Sequence, residues 1–183
     1  IDAAGGLVIP AFVNGQLHAC KSFWRRRLQE QPATVQHLPR FQAASYVKTA
    51  YSEDDVFARV DETMRLAIQN GTCAIRLFGD VDEANGLTAL KALLRIREKY
   101  SPWMTVQVVA FPQDGVAGAQ TTQLMQQAMA LGADVVGGIP WIEASQSAQE
   151  AHSDLCFTIA RQFNKPLHFV CDDTANVNSR TLE

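Results

Sequence analysis

The sequence predicts a parallel α/β fold in one domain, and three features of its 183 residues support this prediction. Strand-like and helix-like segments alternate, and from the second strand onward equivalent points recur at intervals of roughly thirty residues, the size of a βα unit. The strand-like segments are nearly continuous apolar runs, as expected for parallel strands covered on both faces. Neither a Gly-x-Gly-x-x-Gly loop nor a Walker-type loop follows any strand, which argues against a nucleotide-binding Rossmann fold.

Five apolar segments are the predicted strands. In chain order they are LVIPAFVNGQLH, CAIRLFGDV, TVQVVAFP, ADVVGGIP and LHFVCDD. A polar, arginine-rich stretch follows the first strand, and its Arg25, Arg26 and Arg27 are expected to form the solvated face of a helix.

The helix that precedes the second strand carries clear start and stop signals. Ser52 is expected to cap it, acidic residues fill its first turn, and Gly71 lies just past its end. Apolar residues at helical spacing predict its buried face, which is made of Val56, Val60, Met64 and Ala67. Later helices are predicted over GLTALKALLRIREKY, TTQLMQQAMALG and AHSDLCFTIARQFN.

Composition and charge argue against several classes of function. Hydrophobic residues make up 47% of the chain and charged residues 19%, and no apolar run approaches the ~20 residues of a membrane span. The net charge of −3 argues against a nucleic-acid-binding surface. The four cysteines form no Cys-x-x-Cys pair, which favours buried free thiols in a reducing, cytoplasmic compartment.

Polar or aromatic side chains follow every predicted strand. They are Gln16 and His18, then Asp80, then Gln113 and Asp114, then Trp141 and Glu143, and finally Asp172 and Asp173. Because active sites of α/β folds lie at the carboxyl ends of the strands, this arrangement predicts one shared pocket. Composition alone leaves a closed barrel and an open sheet as alternatives.

Five blocks of the sequence resemble the cytosine deaminase-like branch of the amidohydrolase superfamily. They are GLVIPAFVNGQLH, IRLFGDVDEANGLTALKALL, VQVVAFPQDG, LGADVVGGIP and HFVCDDTANVNSR, and their spacing is also similar. The resemblance implies a TIM-type parallel (β/α) barrel, with about the first five of its eight βα units in residues 1–183 and no second domain. A chain that starts at a strand approach and stops where a helix is expected also predicts a piece of a longer protein.

The resemblance further implies a hydrolase that acts on C–N bonds of a small N-heterocycle. A divalent metal, zinc or iron, would activate the attacking water. His18 matches the second histidine of the family's His-x-His metal pair. Asp173 matches the glutamate that shuttles protons, one methylene shorter, and Gln113 matches the glutamine that holds the substrate. Residues 1–183 by themselves are expected to be inactive.

Two positions depart from the family pattern. Gln16 stands where the first histidine of the metal pair is expected, and Val170 stands at the ligand position of the fifth strand. An amide oxygen is a poor ligand for zinc or iron and valine is none, so these residues predict weak metal binding. Besides an enzyme, the sequence is therefore compatible with a metal-free, catalytically inactive relative that binds a ligand or a partner. A third hypothesis is an open-sheet binding domain with a coincidental resemblance.

Several candidate residues have structural alternatives. Asp172 and Asp173 can form an acid–base pair or shape a turn, and Trp141 can wall a pocket for a flat ring or pack under a loop. His168 is expected to be a core histidine hydrogen-bonded to a neighbour, whereas His152 is expected on the surface. The expected partners are a heterocyclic substrate and either a second copy or the rest of a longer chain, but no nucleic acid and no membrane.

Overall fold

Five parallel strands and their connecting helices form the protein, for which a computed structural model describes residues 2–181, with residues 40 and 41 described by their backbone alone. The strands β1 to β5 are Phe12–Leu17, Thr72–Asp80, Thr105–Phe111, Val135–Gly138 and Leu167–Phe169. The helices α1 to α7 are Trp24–Gln29, Ala33–Gln36, Arg40–Lys48, Glu53–Gln69, Thr88–Tyr100, Thr121–Ala130 and Gln146–Phe163. Short 3-10 helices, Ala19–Lys21 and Pro140–Ile142, follow β1 and β4.

The strands lie side by side in chain order, and every neighbouring pair is parallel. The pairing of β2 with β3 runs without interruption from Ala74 opposite Thr105 to Asp80 opposite Phe111. Consecutive order is the arrangement of a (β/α) barrel, because a doubly wound open sheet reverses its strand order at a switch point. The prediction of five βα units of a TIM-type barrel is therefore confirmed.

Three strands are shorter by several residues than the apolar runs that predict them. β4, predicted over residues 133–140, spans only Val135–Gly138. β1 begins at Phe12, and the apolar residues 7–9 before it are exposed. The prediction that the first strand starts at residue 7 is wrong. The neighbouring strand β2 begins only at Thr72, opposite Phe12, so earlier residues have no strand to pair with. β5 ends at Phe169 because the chain turns at Asp172, whose φ is 51°.

Helix α4 forms as its sequence signals predict. The Ser52 hydroxyl accepts the N–H of Asp55 at 3.2 Å, and Gly71 adopts a φ of 83° just after the helix. Its buried apolar face consists of Val56, Val60 and Met64, while Ala67 is half-buried.

The sheet carries apolar residues on both of its faces, because successive strand residues alternate between them. One face packs against the helices through residues such as Leu77, Leu90, Leu93, Ile96, Val108, Met125 and Ile159. The opposite face carries a second group, here called the inner-face cluster, which consists of Phe78, Val109, Phe111, Val135, Ile139 and Val170. Trp141 packs against this cluster, and His18 lies beside its Phe78 and Phe111 rings.

The polar stretch between β1 and α4, residues 19–51, is here called the arm. It contains α1, α2 and α3, which the sequence reading did not separate because they are short and weakly periodic. Arg25 and Arg26 are exposed, as expected for a solvated helix face. Arg27 departs from this expectation, since it is half-buried and its Nε lies 3.2 Å from the Asp55 carboxylate.

The four cysteines are free thiols, as expected. Cys20 and Cys156 are buried and Cys171 is half-buried, but Cys73, near the start of β2, is exposed, so the expectation of burial is wrong for this cysteine. Among residues 2–181, no helix is both long enough and apolar enough to cross a membrane.

We expect Gly137→Ala to lower the free energy of unfolding by about 1–3 kcal/mol, the usual cost of overpacking. The added Cβ would lie 2.7 Å from the Phe111 ring and 2.8 Å from the Ala110 carbonyl oxygen, a backbone atom that cannot easily move. Gly15→Ala in β1 is the control, because nothing lies within 4 Å of its Cβ, and it should cost less than about 0.5 kcal/mol. Urea titration of the intact protein measures the free energy of unfolding of both variants. Equal losses would contradict the close packing around Gly137.

Candidate functional site

The carboxyl ends of β1, β2 and β3 bring a histidine and two aromatic rings together beside the inner-face cluster. The centroid of the His18 ring lies 5.1 Å from the centroids of both Phe78 and Phe111. Burial, reinforced by the charge of Lys21, lowers the pKa of His18 to about 4. His18 is therefore a neutral imidazole near pH 7, and its Nδ1 is buried without a hydrogen-bond partner among the described residues.

Lys21, three residues after His18, connects the ends of β2 and β3. Its Nζ lies 3.5 Å from Oδ2 of Asp80 and donates a hydrogen bond to Oε1 of Gln113. Because this contact uses the oxygen of the Gln113 amide, Nε2 is the atom of that side chain that can donate to a ligand. Lys21 and Gln113 are both half-buried, so a ligand can reach them from solvent.

Lys48 of the arm is a second cation at the same edge of the sheet, and it is only 8% exposed. Its Nζ lies 2.7 Å from Asp114, 2.9 Å from Asp82 and 3.7 Å from Asp80. Burial acts to lower the pKa of Lys48, but the charge of Asp80 and the hydrogen bonds to Asp114 and Asp82 outweigh it and raise the pKa. Lys48 therefore stays charged and ties α3 to the ends of β2 and β3.

Cys20 lies next to these charges but is unsuited to act as a nucleophile. It is fully buried, and burial together with the negative charge of Asp80 raises the pKa of its thiol to about 12. Thiolates, not thiols, are the reactive form of cysteine. Cys20 is also held in place through its backbone, since Arg59 donates to its carbonyl oxygen at 2.8 Å.

Trp141 lies in the 3-10 helix after β4 and is half-buried. Its ring packs against the inner-face cluster. The indole Nε1–H is buried without a hydrogen-bond partner among the described residues, although buried tryptophans usually find one. This position suits both roles considered for Trp141, a packing residue and the wall of a pocket.

The two aspartates after β5 have different surroundings. Asp172 accepts hydrogen bonds from the Ser179 hydroxyl at 2.5 Å and from the N–H of Thr181 at 3.0 Å, and these bonds, that of Ser179 foremost, lower its pKa. Asp172 therefore shapes the turn. Asp173 is exposed, and its charge is close enough to His18 to oppose the fall in the pKa of that imidazole.

The residues at the predicted metal positions do not form a metal site by themselves. Gln16 is exposed on β1, and Val170 is 9% exposed within the inner-face cluster. Across residues 2–181 no group of three or more histidine, cysteine, aspartate or glutamate side chains has the geometry to hold a metal ion. Zinc and iron sites need such donors, so His18 alone does not satisfy either metal.

His168 offers no replacement ligand. It has the hydrogen-bonded neighbour expected for it, but it is half-buried rather than a core residue, because β5 lies at the edge of the sheet. Its Nδ1 lies 2.8 Å from Nη1 of Arg76, and the same guanidinium donates to Oε1 of Gln107 at 2.8 and 2.9 Å. Burial and the positive charge of Arg76 lower the pKa of His168. An imidazole that faces a guanidinium in this way is poorly placed to bind a cation.

The expectation that His152 lies on the surface is wrong. The side chain is fully buried on α7, where Nε2 accepts the N–H of Ile139 at 2.9 Å and Nδ1 lies 2.9 Å from Oε1 of Glu143. Burial lowers the pKa of His152, and Glu143 opposes this shift only in part. The polar residues around His152 in the sequence point to solvent because they lie on the other side of the helix.

Sequence reasoning also missed both lysines of the site. A signal existed for Lys21, which comes three residues after a strand-end histidine and so remains at the same edge of the sheet. For Lys48 there was none, because it lies in the arm, whose fold brings it to Asp80 from thirty-two positions earlier in the chain.

The comparisons with known proteins agree with the fold. No family model matches the chain. The chain is 29% identical to an N-isopropylammelide isopropyl amidohydrolase of Pseudomonas sp. (strain ADP), over 97% of its own length and 45% of the relative's. It superimposes with a TM-score of 0.83 on a 5-methylcytosine deaminase from Klebsiella pneumoniae liganded with phosphonocytosine, at 26% identity over 95% of the chain and 42% of the deaminase. The resemblance to cytosine deaminase-like amidohydrolases is confirmed.

A second solved amidohydrolase supports the same relationship. The structure of N-isopropylammelide isopropylaminohydrolase from Burkholderia multivorans ATCC 17616 matches with a TM-score of 0.76 and 30% identity, over 91% of this chain and 41% of that one. The chain thus spans less than half the length of these amidohydrolase relatives.

We expect Lys48→Met to lower the free energy of unfolding by about 3 kcal/mol, because it leaves buried carboxylates without their cation. Lys21→Met is the matched control. The Lys21 side chain is 34% exposed, and among the described residues it pairs with Asp80 alone, whereas Lys48 pairs with three carboxylates, so the loss of Lys21 should cost less than about 1 kcal/mol. Urea titration measures the free energy of unfolding of both variants. A loss for Lys48→Met no larger than that for Lys21→Met would contradict the role of Lys48 as a buried cation that joins α3 to the ends of β2 and β3.

We expect His152 to make the protein less stable as the pH falls below 6.5. Burial lowers the pKa of the folded His152 from its usual 6.5, so below this pH the unfolded chain binds a proton that the folded protein does not. Below pH 6.5, His152→Gln should therefore show a shallower pH dependence of the free energy of unfolding than the wild type. His37→Gln, which changes an exposed histidine, should keep the wild-type slope. Equal slopes for all three proteins would show that His152 is protonated in the folded state.

Proposed function

We propose that residues 1–183 supply the first five βα units of a hydrolase domain that acts on C–N bonds of a small N-heterocycle. The observation that carries the proposal is the cluster of His18, Lys21, Asp80 and Gln113 at the carboxyl ends of β1 to β3. Active sites of barrel enzymes lie at this end of the strands. The similarity to amidohydrolases over nearly the whole chain supports the same reaction class.

The chemistry of the cluster suits a flat, neutral ring with hydrogen-bond acceptors. Nε2 of Gln113 can donate to a ring nitrogen or carbonyl oxygen, and Lys21 holds the amide in that orientation. The half-buried rings of His18 and Trp141 follow β1 and β4, and the proposal assigns them to the two faces of the bound ring. Because His18 is neutral near pH 7, its Nδ1, which has no partner among the described residues, can exchange a hydrogen bond with a neutral heterocycle.

Asp173 is the residue we propose for proton transfer. In hydrolysis, water adds to the ring carbon, the C–N bond to the leaving nitrogen breaks, and that nitrogen gains a proton. An exposed carboxylate near His18 can accept the proton of the water and return it to the leaving nitrogen. The zinc or iron that the resemblance implies would need ligands beyond those in the described residues.

The partners and the compartment are also part of the proposal. A heterocyclic small molecule is the proposed substrate, and the rest of a longer chain, or a second copy, is proposed to cover the free edges of β1 and β5. Four free thiols support a reducing compartment such as the cytoplasm.

We expect the intact protein to bind 5-fluorocytosine, which is a ligand of a similar deaminase structure. Broadening or a shift of the ligand's fluorine-19 NMR signal detects the binding. Gln113→Ala should weaken the affinity about tenfold, because it removes a hydrogen bond donated in a partly buried site. Gln127→Ala, on the exposed side of α6, is the control and should bind like the wild type. Undiminished affinity in Gln113→Ala, or no binding to the wild type, would contradict the proposed site.

A second candidate function is a metal-free relative that binds a heterocycle without hydrolysing it. The observation that favours it is Val170, which fills a predicted ligand position with an apolar side chain inside the inner-face cluster. Gln16, at the other altered position, points to the same conclusion.

Histidines introduced at positions 16 and 170 distinguish the two candidate functions, a hydrolase and a metal-free binding protein. If the protein is a hydrolase, the intact wild type should release ammonia or an amine from a heterocyclic substrate. If it is a metal-free relative, the wild type should be inactive, and only the double variant Gln16→His, Val170→His should retain zinc after dialysis. Elemental analysis and an amine-release assay on both proteins give the answer.

A further inference from the structure

A buried glutamate–histidine pair connects the two loops that carry Gln113 and Trp141, and the proposed chemistry does not use it. His152 on α7 is fully buried, and the side chain of Glu143 is 7% exposed. Ser145, which caps α7 by accepting the N–H of Ala148 at 3.3 Å, fixes the start of the helix that carries the histidine.

The pair forms a continuous chain of hydrogen bonds between the loops. Nε2 of His152 accepts the N–H of Ile139, at 2.9 Å, in the segment that leads to Trp141. Nδ1 of His152 lies 2.9 Å from Oε1 of Glu143. The same oxygen accepts the N–H of Val116 at 2.7 Å, in the loop that follows Gln113.

The directions of these bonds fix the state of the histidine. A backbone N–H can only donate, so Nε2 must be without a proton and Nδ1 must carry one, which it donates to the Glu143 carboxylate. One carboxylate oxygen thereby receives a bond from His152 and another from Val116. The full set of bonds forms only when both loops are in place.

The loop after β3 also fits closely over the carboxylate. Gly115 has a φ of 86°, and a Cβ at this position would lie 2.7 Å from Oε1 of Glu143. Gly115 is two residues after Gln113, and Glu143 is two residues after Trp141. Glu143 therefore belongs to the segment that carries Trp141 and contacts the loop that carries Gln113.

We propose that Glu143 and His152 are positioning residues that hold the Gln113 loop and the Trp141 segment at a fixed distance from each other, so that one flat ring meets both. The part that concerns the ligand rests on the proposed function. The coupling of the two loops can be measured without a ligand.

Amide hydrogen exchange of the intact protein, followed by mass spectrometry, tests the coupling. Glu143→Ala and His152→Ala should each accelerate exchange about tenfold in both segments, residues 112–118 and 139–143, since each removes a bond to a charged or imidazole partner. In His152→Ala, acceleration confined to residues 139–143, the segment that His152 contacts directly, would overturn the coupling, and so would unchanged exchange of residues 112–118 in Glu143→Ala.

Asp134→Ala is the matched control for the exchange measurement. Its carboxylate also accepts a backbone N–H, that of Val108 at 2.8 Å, and pairs with Arg97 at 2.8 Å, but it lies before β4, at the opposite end of that strand. This variant should cost stability without accelerating exchange in residues 112–118 or 139–143. Equal acceleration in Asp134→Ala would show a general loss of stability and would overturn the proposal.

Affinity for 5-fluorocytosine, measured by fluorine-19 NMR, tests the positioning role. Glu143→Ala should weaken binding about tenfold, while Glu143→Gln, which keeps an acceptor oxygen for Val116 and His152, should stay within about twofold of the wild type. Unchanged affinity in Glu143→Ala would overturn the positioning role even if the variant is less stable. If the wild type does not bind this probe, the proposed function has failed, and the exchange measurement still decides whether the pair couples the loops.

Discussion

The parallel, consecutive order of the five strands is the constraint on which the rest of the structure depends. It places the carboxyl ends of all the strands along one edge, so residues far apart in the chain meet there without any long-range motif. The pairing of β2 with β3 ends with Asp80 opposite Phe111, and the loops beyond these residues supply Asp82, Gln113 and Asp114. The arm then reaches this edge with Lys21 and Lys48, whose charges balance the carboxylates.

The inner face of the sheet is apolar, and charged side chains surround it at the carboxyl ends of the strands. We call this border the rim; its charged residues are Lys21, Lys48, Asp80, Asp82 and Asp114. Phe78 and Phe111 flank the His18 ring, which burial keeps neutral, and Val170 fills a position where the resemblance implies a metal ligand. The positive charge of the site comes instead from lysines bound to strand-end acids. Two loops complete the rim, and a neutral histidine and a buried glutamate behind them join these loops to α7.

The spacing of apolar residues and the helix-capping residues predicted the architecture well, because both depend on interactions between residues close in the sequence. Ser52, Gly71 and the apolar face of α4 lie where their spacing requires, and the strands follow the apolar runs. The sequence also located His18, Gln113, Trp141 and Asp173 at strand ends, although it did not distinguish the turn-forming Asp172 from its exposed neighbour. Lys48 and His152 escaped prediction because tertiary packing alone decides their burial: a short helix of weak periodicity carries the first, and polar neighbours surround the second in sequence.

A crystal structure of the intact protein with 5-fluorocytosine is the most direct test of the central claim, that the rim at the carboxyl ends of β1 to β3 is a binding site for a flat heterocycle. The account predicts that the ring lies between His18 and Trp141, with Nε2 of Gln113 within hydrogen-bond distance of a ring acceptor. A ring bound elsewhere, with no ligand atom near Gln113, would contradict this claim.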